Sequence, residues 1–143
     1  MSATASTTPR RPASTGRPAR PTLVAVLSFQ AFTLAVFSTL HLTGALSTGT
    51  GGADAAGIAE GLICIGLAGG AWGLAVEPPA RGHRAARLAV GFAIVGFIVG
   101  LTETVQGHDA IDLIYHATML PLLVATAVLL ARQPAPRRGS PAV

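Results

Sequence analysis

Four ionisable residues stand isolated in otherwise apolar sequence: His41, Glu60, Glu103 and His116. Two imidazoles and two carboxylates make a mixed nitrogen and oxygen donor set of the kind that holds zinc, manganese or non-haem iron. The same groups also build proton relays inside membranes, and two histidines at one level can clamp a b-type haem. Glu60 and Glu103 separate the haem from the bare-metal reading, because a bis-histidine haem has no use for carboxylates. The plainest alternative is a pair of His–Glu bridges that only fix helix packing. A divalent zinc, manganese or iron ion on His41, Glu60, Glu103 and His116 is the preferred expectation.

Nearby residues extend that set. Cys64 follows Glu60 at i+4, so a helix places the thiol one turn beneath the carboxylate. Asp112, His116 and Met119 run i, i+4, i+7 along one helical face, where Asp112 is expected to orient His116 from behind, as carboxylates do for metal-bound histidine. Gly96, Gly100 and Glu103 share another face, and the "GFIVG" spacing lets a partner helix come close. Pro121 is expected to bend its helix beside His116. Gln30 reads as polar glue between helices. Asp109 reads as a helix N-cap, and His108 as solvated in a turn.

The elements that position these residues follow from composition. Of 143 residues, half are hydrophobic and 11% are charged, against about 25% charged in soluble domains. Four stretches, at about 22–45, 55–76, 88–106 and 111–131, are long enough to cross roughly 30 Å of hydrocarbon at about 1.5 Å per residue. They are continuously apolar and lack the alternation of barrel strands. The fold class is therefore all-α integral membrane, a four-transmembrane-helix bundle.

The basic residues predict its orientation. Arg10, Arg11, Arg17 and Arg20 precede the first span, Arg81, Arg84 and Arg87 separate the second and third, and Arg132, Arg137 and Arg138 follow the fourth. The other two connections contain no arginine or lysine. The positive-inside rule then gives two outward-pointing helical hairpins, both termini cytoplasmic, in a cell inner (plasma) membrane. Trp72 falls where an interfacial anchor would sit. Arginine without lysine, beside abundant alanine and glycine, suggests a GC-rich bacterial genome. In this topology His41, Glu60, Glu103 and His116 all come to the outer third of the bilayer, one from each helix. Four-helix bundles build metal and cofactor sites from inward side chains of this kind.

Three units are expected: a disordered arm at 1–20, the membrane domain at 21–132 and a disordered tail at 133–143. Cleavage of the first span as a signal near Ala45 to Ser47 is the competing reading, and it would remove His41. The pI of 11.1 reflects arginines that track the membrane, so nucleic acid is not an expected partner. The lipid bilayer is, together with a second copy of the chain or a larger membrane complex. No P-loop, GxSxG, HExxH or dinucleotide fingerprint occurs, so no enzyme class is indicated. The alternatives to metal binding are an accessory membrane subunit with a purely structural cluster, or a proton-coupled transporter working as a dimer.

Overall fold

A computed structural model describes residues 20–46, 53–107 and 110–133. The disordered arm and tail expected at the two ends fall, apart from Arg20 and Gln133, outside the described residues, as do His108 and Asp109 with their solvated and N-cap roles. Four helices follow in order: α1 (Arg20–Leu42), α2 (Ala53–Val76), α3 (Pro79–Gly107) and α4 (Ala110–Ala131). No strand occurs among the described residues. Each helix contains a segment long and apolar enough to cross a membrane. A helix satisfies its backbone within one segment, as hydrocarbon demands.

Two boundaries differ from expectation for physical reasons. The first span stops at Leu42, short of Ala45, because Gly44 turns left-handed at φ 72°. The Gly44 N–H donates to the His41 carbonyl and the Leu46 N–H to the Leu40 carbonyl, which closes the helix in a glycine C-cap. The third helix starts at Pro79, well before the expected Leu88. Proline suits a first helical position, and the Pro78 carbonyl accepts from Arg81 and Gly82. At 29 residues this helix is about 43 Å long. Its first turns therefore outrun about 30 Å of hydrocarbon. Hydropathy reports the apolar part of such a helix and passes over the rest.

Each helix buries one stripe. In α1 it comprises Leu23, Leu27, Gln30, Ala31, Leu34, Ser38 and His41, and in α4 Asp112, Tyr115, His116, Met119, Leu123, Thr126 and Leu130. Steps of three and four residues keep such positions on one face. In α2 the stripe includes Glu60, Ile63, Leu67, Ala71 and Leu74, and in α3 Ala86, Val90, Ala93 and Phe97. Large apolar side chains such as Phe32, Ile65, Trp72 and Val95 point outward, which suits a surface solvated by lipid.

Consecutive helices run antiparallel. Arg20, at the start of α1, donates from Nε to the Leu74 carbonyl and from Nη2 to the Glu77 carbonyl (2.6 Å) past the end of α2. Arg87, early in α3, donates from Nη2 to the Leu130 carbonyl near the end of α4 (2.8 Å). Both arginines thus cap neighbouring helix C-termini, where orphan carbonyls and the helix dipole favour a cation. The described arginines gather at one end of the bundle. Near that end α2 and α3 touch backbone to backbone, since a Cβ at Gly82 would stand 2.5 Å from the Gly73 carbonyl oxygen. Gln30 donates from Nε2 to Thr126 Oγ1 (3.0 Å), joining α1 to α4 as the expected polar glue. Pro121 lies inside α4, which continues through it to Ala131.

The glycine contact gives a paired test. Gly82→Ala should destabilise the bundle by about 1–3 kcal/mol through overpacking against backbone that cannot yield. Gly91, with nothing within 4 Å of a Cβ, should tolerate alanine or gain up to about 1 kcal/mol of helix propensity. Thermal unfolding in mild detergent, followed by circular dichroism, checks both.

Candidate metal centre

Glycines bring the helices close enough for short ionisable side chains to meet. In "GIAEG", Gly57 and Gly61 lie against α1. A Cβ at Gly57 would stand 2.7 Å from Leu42 Cγ, and one at Gly61 would stand 3.2 Å from Ser38 Oγ. Ser38 Oγ donates to the Gly57 carbonyl at 2.6 Å and locks this approach. Glu60, between the two glycines, is thereby held beside His41. On α3 the expected close face is real: a Cβ at Gly96 would meet Ile63 Cδ1 at 2.5 Å, and one at Gly100 would meet His116 Nε2 at 2.6 Å. The imidazole of His116 therefore lies with its Nε2 edge on α3.

Asp112 joins the histidines. Its Oδ1 is 3.5 Å from His41 Nε2 and 3.1 Å from His116 Nδ1. His116 Nδ1 also lies 3.0 Å from the Asp112 carbonyl oxygen. A carbonyl only accepts, so Nδ1 carries the proton and donates towards Asp112. Glu60 Oε2 stands 3.9 Å from His41 Nε2. One donor atom from each of His41, Glu60 and Asp112 lies within 4.8 Å of the others. All are deeply buried, with exposures of 1% for His41, 5% for Glu60, 3% for Asp112 and 6% for His116.

These separations discriminate between uses. Hydrogen-bonded nitrogen and oxygen atoms approach to about 2.7–3.2 Å. Two donors each about 2.1 Å from a tetrahedral ion stand about 3.4 Å apart. The His41 contacts at 3.5 and 3.9 Å belong with the second figure. Neither nitrogen of His41 and neither oxygen of Glu60 makes a hydrogen bond to a described residue. Leaving such atoms alone in the interior costs about 1–3 kcal/mol each. A shared cation would satisfy them together. The chemistry of the set, one imidazole and two carboxylates, matches zinc, manganese or iron.

Of the residues expected from sequence, His41 and Glu60 meet in this group. His116 reaches it through Asp112, and the side chain of Glu103 lies outside the described residues. Asp112, expected behind His116, instead stands between the two histidines. Its signal was available, since Asp112 continues the spacing of His116, Met119, Leu123 and Thr126. Cys64 is half-buried and packs against the apolar core, and Met119 belongs to that core. A carboxylate between the imidazoles occupies the position a porphyrin would need, so the arrangement does not favour haem. In comparisons with protein-family models, curated proteins and solved structures, nothing matches the chain.

Stability separates a ligand site from a packing bridge. In chelator-stripped protein, Glu60→Leu should raise the unfolding free energy by about 1–3 kcal/mol, because it removes a buried unpartnered carboxylate. It should also abolish any stabilisation by added zinc. Destabilisation of the stripped protein by this substitution would identify Glu60 as part of a structural bridge.

Proposed function

We propose that this is a multi-pass inner-membrane protein that binds a transition metal in the outer third of the bilayer, for transfer, sensing or redox support. His41 supplies a neutral imidazole nitrogen, and Glu60 and Asp112 supply carboxylate oxygens. His116 holds Asp112 in place from its protonated Nδ1, so the roles expected for these two residues are exchanged. Glu103, one turn from Gly100 along α3, is a candidate for a further oxygen. The observation that carries the reading is the spacing of the His41, Glu60 and Asp112 donors, together with the unpartnered atoms of His41 and Glu60.

In this reading the helices form two outward-pointing hairpins with both termini cytoplasmic. The clustering of arginines at one end supports that orientation. The centre lies towards the opposite end, where the periplasmic or extracellular side delivers the ion. A purely structural cluster is less favoured by the same geometry. Packing already has its own direct hydrogen bonds between helices in Gln30–Thr126 and Ser38–Gly57.

Elemental analysis of the full chain, purified in mild detergent without chelator, tests the proposal. A single transition-metal ion per chain is expected, lost in His41→Ala while the helical circular dichroism signal stays. A saturating ion at about 100 times its dissociation constant should stabilise the wild type by about 2.7 kcal/mol. Wild-type protein that arrives without metal and takes up no zinc, manganese or iron overturns it. A fluorescent protein fused after Val143 should fluoresce if the C-terminus is cytoplasmic. A dark but fully expressed fusion reverses the orientation.

A further inference from the structure

We propose that the phenol oxygen of Tyr115 is a fourth donor of this centre and fits it to ferric iron. This rests on the metal reading above. Tyr115 follows Asp112 by three residues on the buried stripe of α4. It is 94% removed from solvent, at 6% exposure, yet its hydroxyl has no hydrogen-bond partner among the described residues. A buried tyrosine ordinarily directs that hydroxyl to a partner. Tyr115 lies one turn from Asp112 along α4, and its ring lies against that of His116, whose Nδ1 is 3.1 Å from the Asp112 carboxylate.

The ring is held by its neighbours. It stacks on Phe37, one turn before His41, with centroids 3.6 Å apart and planes 6° from parallel. Phe97 of α3 packs on it at 5.5 Å, and the His116 ring meets it edge-on at 5.5 Å. The phenol ring is thus held by α1, α3 and its own helix, at the level of His116 and one turn from Asp112. A positioned oxygen with no partner is what a ligand requires before the ion arrives.

Charge then selects the ion. Ionised Glu60 and Asp112 neutralise a divalent cation, with His41 contributing no charge. A phenolate adds a third negative charge and neutralises a trivalent one. Net charge left in a bilayer interior is costly, so a phenolate ligand goes with a trivalent ion. Among zinc, manganese and iron, iron has the trivalent state that is stable in water and prefers hard oxygen donors. On binding, the phenol O–H bond breaks and an oxygen–iron bond forms, and the proton passes to water, as metal binding to a protonated ligand demands. No electron is transferred.

The test uses full-length, chelator-stripped protein in mild detergent, loaded with ferric nitrilotriacetate or with zinc sulfate. Wild type, Tyr115→Phe and Cys64→Ser are compared. Ferric wild type should show a visible phenolate-to-iron charge-transfer band. Tyr115→Phe, which keeps the stacked ring, should lose the band and at least about tenfold in ferric affinity, with unchanged zinc content. Cys64→Ser should keep the band. A colourless ferric wild type, a band that survives Tyr115→Phe, or one that disappears in Cys64→Ser overturns the assignment. Loss of zinc together with iron in Tyr115→Phe makes the hydroxyl a packing element and overturns it too. In these cases zinc binding by the wild type leaves the metal centre standing. A wild type that takes up neither ion removes both readings.

Discussion

In hydrocarbon a polar side chain can bond only to protein, and leaving it alone costs more than most packing contacts return. The chain nevertheless buries His41, Glu60, Asp112 and His116 at one level of the bundle. Asp112 is central to that arrangement because its carboxylate touches both histidines. His116 can serve it only while its ring is turned with Nδ1 towards Asp112 and its Nε2 edge lies on Gly100. The absence of a side chain on Gly100 therefore bears on an acid carried by a different helix. Glu60 depends in the same way on Gly57 and Gly61, which let α2 approach Ser38 and Leu42.

The two sides of the bundle are built differently. On the α2–α3 side the helices meet at Gly70, Gly73 and Gly82, with alanine and backbone opposite. Dispersion between closely spaced backbones holds such helices together where no hydrophobic effect operates. The α1–α4 side is joined by longer side chains. Gln30 reaches Thr126, Phe37 stacks on Tyr115, and His41 reaches Asp112. His41 and Asp112 meet on this second side, where the seam is made of side chains instead of backbone. The aromatic layer of Phe37, Phe97 and Tyr115 lies between the ionisable cluster and the Gln30–Thr126 pair. It separates the cluster from the polar pair deeper in the bundle.

Much of this was legible in the sequence, for reasons that differ by residue. Continuous apolar runs identified four helices because hydrocarbon leaves the backbone no other economical form. Helix direction and rise put His41, Glu60 and His116 at one depth, since depth needs only counting. Asp112 was harder to place. At a helix start an acid suits the dipole whether or not it reaches a neighbour, and only its rotamer decides between these uses. Tyr115 was passed over because its ring reads as apolar, while its hydroxyl sits at the far end of that ring. The start of α3 was missed because its arginines lower the hydropathy without breaking the helix.

The bundle contains two kinds of polar contact, and the difference between them bears on purpose. Ser38 to Gly57 and Gln30 to Thr126 are direct hydrogen bonds at 2.6 and 3.0 Å, each linking two helices. This sequence can therefore build a close polar lock inside the membrane. Around His41 it does not: the distances to Asp112 and Glu60 lengthen to 3.5 and 3.9 Å, and neither Glu60 oxygen makes a hydrogen bond to a described residue. If the cluster only fastened helices, apolar side chains of similar volume would fasten them as well at lower cost. A set of donors that is too far apart to bond directly, yet close enough to share one ion, is what a binding site requires before its ligand arrives. On the proposed metal reading, the stability given up at this level is the consequence of keeping that site ready.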